Sequence, residues 1–168
     1  MSEQNNTNAN TTVEDKLKDV LSGDALTNAL DFVAHLRSIG MTPDENNRFY
    51  FMGEYTCILV FFPHNDFPDG MWFICDCPIE EYDGFPLDES LKEFARANVQ
   101  KCGDGSGCGG DCGHEARRAT KKIFGKEYNS LCSSEIQFFD PNAEALVKVK
   151  KLMDYWKLMI AEGKYKGR

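Results

Sequence analysis

"RFYFMGEYTCILVFF", Arg48 to Phe62, is the stretch whose reading decides the fold. It divides at Gly53-Glu54 into "RFYFM" and "YTCILVFF". Aromatic and β-branched side chains favour extended chain, and the glycine marks a turn between two strands. The second run, Tyr55 to Phe62, is apolar at successive positions instead of alternating, which predicts a strand covered on both faces. A third run, "MWFICDC" (Met71–Cys77), follows the turn-rich "PHNDFPDG", and the three together predict an antiparallel meander. "SEIQFF" further along supplies a possible fourth strand.

Helical patterns on either side provide the cover. Thr11 and Glu14 have capping-box spacing ahead of a helix carrying Val13, Leu17, Val20 and Leu21. After Ser22-Gly23, Asp24 is the expected cap of a second helix with Leu26, Leu30, Val33 and Leu36 in one stripe, ended by Gly40. Asp88 is placed to cap a helix carrying Leu91, Phe94, Ala95 and Val99, running to Cys102-Gly103. "EARRATKKIFG" reads as a short basic helix. The last helix is expected to be capped by Asp140, to take Pro141 in its first turn and to end at Gly163. Its Leu146, Val149, Met153, Trp156 and Ile160 step by three and four, the mark of a core-facing stripe. The expected class is α+β, a small antiparallel sheet of three to four strands packed against several helices, with a long C-terminal helix. Residues 1–11 read as a disordered tail, and 12–168 as a single domain with a Cys/Gly-rich loop at 102–114.

Composition narrows the function classes. A chain of 168 residues is long enough to bury a core without disulfide staples. The net charge of −8 disfavours nucleic acid and anionic membrane as partners. From Pro141 onward there are seven Lys or Arg against three Asp or Glu, a local +4 set against −12 elsewhere, read as a solvated lysine face. No segment approaches the ~18 apolar residues a membrane span needs. The polar start, "MSEQNNTNANTT", does not read as a signal peptide. The expectation is a cytoplasmic protein whose seven cysteines, an odd number, stay reduced.

Those cysteines hold the main chemical signal. "KCGDGSGCGGDCGHE", Lys101 to Glu115, packs Cys102, Cys108, Cys112 and His114 among six glycines, and Cys132 follows eighteen residues after His114. Zinc takes four tetrahedral ligands, mainly thiolate and imidazole. Glycines allow the tight turns that bring sulfur atoms together. Five residues separate Cys102 from Cys108 and three separate Cys108 from Cys112, looser than paired Cys-x-x-Cys knuckles. The expected ligand set is Cys102, Cys108, Cys112 and Cys132, with His114 as the substitute. The spacing matches neither common ferredoxin pattern. A mobile glycine-rich loop with no metal is the plain alternative.

Cys75 and Cys77, two apart on a strand, share a face at about 6.5–7 Å, near the limit for a disulfide. They read as core thiols, with a redox pair or extra metal ligands as alternatives, and Cys57 reads as core. His64, Asp66 and Asp69 read as turn residues, and Glu80, Glu81 and Asp83 as a solvated loop. Arg117 with Lys121, and Arg118 with Lys122, have helical spacing suited to gripping an anion. The aromatic residues of the meander read as core, or as the lining of an apolar pocket if one sheet face is open.

The C-terminal half, with its Cys/Gly cluster, "IFGKE", later cysteine and "DPN" helix start, resembles small uncharacterised proteins of anaerobic gut bacteria. The resemblance covers about the last seventy residues and implies no activity and no catalytic residues. It does imply that Cys108, Cys112 and Cys132 occur together for a reason. The expected function is that of a non-enzymatic, zinc-stabilised domain binding a small molecule or protein partner. The alternative is a thiol-based redox enzyme using Cys75 and Cys77 or the loop cysteines.

Overall fold

The computed structural model of the protein describes residues 11–61, 70–76, 82, 86–101 and 120–164, with backbone alone for Asp76 and residues 132–135. The meander is present. Strand β2 (Arg48–Phe51) turns through Met52-Gly53 into β3 (Glu54–Phe61), which pairs antiparallel with β4 (Trp72–Asp76). The sheet is wider than the three to four strands expected. A short β1 (Thr42–Pro43) adds to β2, and β4 continues into β8 (Leu131–Phe139) and then β5 (Val99–Lys101), giving the order β1-β2-β3-β4-β8-β5. All its pairings are antiparallel. A separate hairpin joins β6 (Lys121–Ile123) to β7 (Lys126–Tyr128).

The pleat sorts the sheet residues. Register puts Phe49, Cys57, Leu59, Ile74 and Phe138 on one face, and all are buried to 2 % exposure or less. They form one core cluster with side chains of helices α1 (Val13–Val20), α2 (Gly23–Ser38), α3 (Glu89–Ala97) and α4 (Ala143–Ala161). Ile58, Val60, Phe73, Cys75, Gln137 and Phe139 share the opposite face. There Phe73, Cys75 and Gln137 are buried, and Ile58 and Val60 are half-buried. β3 is therefore enclosed most fully on its helix side. The ungraded apolar composition of Tyr55–Phe62 did not reveal this asymmetry.

Helix α4 follows the expected stripe. Leu146, Val149, Met153, Trp156 and Ile160 are all buried, so the stripe is core. Each such side chain contributes roughly 1.5–3 kcal/mol on burial. The lysines of α4 lie over its flanks: Lys150 pairs with Asp31 at 2.6 Å, Lys148 sits over the Phe94 ring and Lys157 over Phe51. The cap lies two residues later than Asp140. Asn142 takes that place, its side chain accepting the Ala145 N–H at 2.9 Å, and Asp140 instead has φ +39°. Pro141 cannot donate, so a cap after it leaves the first turn intact. The far ends of α2 and α4 stop as expected before Gly40 and Gly163. In each, paired reverse bonds close the helix: Met41 N–H to Leu36 and Gly40 N–H to Arg37, Lys164 N–H to Met159 and Gly163 N–H to Ile160.

Three other expectations shift. The α1 cap is Thr12, which accepts from the Asp15 N–H and donates to its carboxylate, one residue on from the Thr11 frame. The α2 cap is Ser22, not Asp24, and it makes no side-chain cap bond. α3, capped by Asp88 as expected, ends at Ala97 instead of Cys102, because Val99 pairs with Ile136 of β8 and the chain becomes strand. The basic helix is also replaced where the structure describes it: Lys121–Ile123 is strand. Among the described residues, no helix is long and apolar enough to cross a membrane.

Candidate functional site

The β6–β7 hairpin turns on two residues, since Ile123 pairs with Lys126. Phe124 and Gly125 have φ of +46° and +81°, the pair of left-handed residues such a turn requires. Phenylalanine is costly there, and the reason it holds is packing. Its ring is 4 % exposed and meets Tyr82 edge-on at 5.3 Å. Tyr82 itself is fully buried. "IFGKE" is thus a hairpin tip docked on the core.

Arg96 of α3, a residue the cysteine-centred sequence pattern did not single out, fastens that hairpin. Its Nη1 donates to the Phe124 carbonyl at 2.7 Å and its Nη2 to Glu89. Tyr128 Oη donates to the Arg96 carbonyl at 3.2 Å. The guanidinium holds the Glu89 carboxyl below the ordinary carboxylate range. Burial pushes the Tyr128 hydroxyl up. The available signal was the spacing of Glu89 and Arg96, seven apart and so on one helix face.

The root of the Cys/Gly segment lies beside this hairpin. Lys101, bonded to Cys102, stands across from Leu131, bonded to Cys132. Thr120, the first described residue after the segment, donates its hydroxyl to Asn129 at 2.8 Å. The chain therefore leaves at Lys101 and returns at Thr120 within reach of one stretch, residues 129–131. The β5–β8 ladder also breaks here: Gln100 alone spans Val99 to Lys101, while residues 132–135 occupy the matching interval on β8. Extra residues of this kind bend a strand and re-aim its side chains, and they occur often beside functional sites.

Of the expected ligands, Cys102, Cys108, Cys112 and His114 lie outside the described residues. Cys132 lies within β8, described by its backbone. Among the described residues, no group of three or more His, Cys, Asp or Glu stands close enough to hold a metal. Cys57 and Cys75 are buried thiols, Cys57 in the core cluster and Cys75 on the opposite face. Cys77, His64, Asp66, Asp69, Glu80, Glu81, Asp83, Arg117 and Arg118 fall outside the described residues. Of the meander aromatics, Phe49, Trp72 and Phe73 are buried and Tyr50, Phe51, Tyr55 and Phe61 are half-buried. No protein-family model, curated protein or solved structure matches this chain.

Proposed function

We propose that the chain is a non-enzymatic, zinc-stabilised domain that binds a small molecule or a protein partner. Cys102, Cys108, Cys112 and Cys132 hold the ion, with His114 taking the place of any cysteine out of reach. One observation carries this reading: the residues bonded to Cys102 and Cys132 face each other across the β5–β8 ladder. Cross-strand partners lie about 5 Å apart and each further residue adds at most 3.8 Å, so the two cysteine Cα atoms are within about 13 Å of one another. Glycine-rich chain between Cys102 and Cys112 supplies the two remaining thiolates without a long-range closure cost.

A set of soft thiolates suits zinc, and a closed four-ligand site is structural, not catalytic. The ion joins β5 and β8 through Cys102, the residue after β5, and Cys132 of β8, near the hairpin that Arg96 fastens. A reducing compartment such as the cytoplasm keeps the thiolates available. Metal analysis of protein purified without chelator tests the proposal. One zinc per chain, lost in Cys112→Ser and Cys132→Ser, is expected. Zinc-free protein, or full zinc retention by both variants, overturns it.

A further inference from the structure

Between α3 and the β6–β7 hairpin lies an open cleft of about 660 Å³, lined by Glu89, Lys92, Arg96, Phe124, Gly125 and Lys126. That volume is within the range of small-molecule sites. Cations come from both walls, Lys92 and Arg96 one turn apart on α3 and Lys126 on the hairpin. They do so on a chain of net charge −8, so their convergence is not a by-product of basic composition. We infer that this cleft is an anion site for a small phosphate-bearing ligand, gripped by Lys92, Arg96 and Lys126.

Arg96 is prepared for that task. The Phe124 carbonyl takes one N–H of Nη1 and Glu89 takes one of Nη2, which fixes the guanidinium plane. Its side chain is only 19 % exposed, so little freedom is left to lose on binding. A guanidinium carries five N–H groups, and three remain after those two bonds. The Lys92 ammonium makes no hydrogen bond or ion pair among the described residues, though its charge acts on the Glu89 carboxylate. The Lys126 ammonium stands 5.4 Å over the Tyr128 ring. Two carboxylates act on Arg96, Glu89 by direct contact and Glu93 at longer range, so the cleft keeps a net positive charge of one. Phosphate uses that charge better than a carboxylate does, because its oxygens can accept from the arginine and both lysines at once.

The strained turn points the same way. Phe124 is held in the left-handed region at the lip of the cleft, with its carbonyl bound to Arg96. Strain of this kind persists only where the surroundings over-determine the backbone, and it clusters at ligand clamps and active sites. The six residues that line the site include no cysteine, and the proposed grip on the anion uses no metal.

Titration of the full-length, metal-replete protein with inorganic phosphate, followed by amide chemical shifts, tests the inference. Saturable shifts at Lys92, Gly125 and Lys126 are expected, with a small phosphomonoester binding at least as tightly and acetate at equal ionic strength failing to saturate. Lys92→Gln and Lys126→Gln are each expected to weaken phosphate about tenfold, as loss of a charge-assisted contact does. Both side chains lie off the core, and an unchanged spectrum elsewhere confirms the fold. Non-saturable shifts, shifts that acetate reproduces, or unaltered affinity in both variants overturns the assignment.

Discussion

Replacing Met52 and Phe124 each by asparagine should move stability in opposite directions. Both occupy the first position of a two-residue hairpin turn, at φ +51° and +46°, followed by Gly53 and Gly125 at φ +85° and +81°. A residue with a Cβ is strained there by roughly 1–2 kcal/mol, and asparagine tolerates the region better than most. The surroundings differ. Met52 is 74 % exposed, so Met52→Asn relieves strain with little packing lost, a gain of about 0.5–1 kcal/mol. Phe124 is 4 % exposed, and deleting a buried phenylalanine ring costs about 3–5 kcal/mol. Relief of about 1 kcal/mol leaves Phe124→Asn destabilised by roughly 2–4 kcal/mol. A change of 1 kcal/mol moves the melting temperature of a chain this size by about 2–4 °C. Urea melts followed by far-ultraviolet circular dichroism, in one buffer, read both variants on one scale. The reasoning is refuted if Met52→Asn is clearly destabilising or if Phe124→Asn is neutral. Either result would mean that the turns do not have the backbone described.

Two further perturbations address the helices. Asn142→Ala removes the α4 cap and should lower stability by about 1 kcal/mol in a denaturant melt, with a neutral effect placing the cap elsewhere. Glu14 is joined to Arg37 by two hydrogen bonds, at 2.6 and 3.0 Å, and this lowers its pKa below the ordinary value. A depressed carboxyl pKa stabilises the fold above the unfolded-state value, and that contribution disappears as pH falls through the folded one. Glu14→Gln should therefore be less stable near neutrality, by under about 1 kcal/mol because Arg37 is partly exposed, and should match the parent in acid. A deficit that persists in acid would assign the loss to packing.

The parts of the fold legible in the sequence are those where one local pattern dominates. β2, β3 and β4 combine aromatic and β-branched runs with a glycine turn, and no helical period competes. The α4 stripe fixes its buried face residue by residue. β5 and β6 were hidden for a different reason. Val99 continues the helical spacing of Leu91 and Ala95, and only pairing with Ile136 of β8 ends the helix before it. Lys121 and Lys122 close "EARRATKK", whose residues favour helix, while the strand depends on Phe124 and Gly125 turning together and on a buried Tyr82 distant in sequence. Arg96 shows the same limit for sites: its role arises from a carbonyl twenty-eight residues away. The cysteine cluster is legible as chemistry because residue type and glycine content suffice to suggest thiolate ligation. The strand register adds that the chain positions flanking Cys102 and Cys132 are brought opposite each other.

X-ray absorption at the zinc edge of the purified protein tests the central claim most directly. The account predicts a first shell of four sulfur atoms at about 2.3 Å, or three with one nitrogen at about 2.0 Å where His114 substitutes. A shell of light atoms without sulfur, or a protein that takes up no zinc, would contradict it.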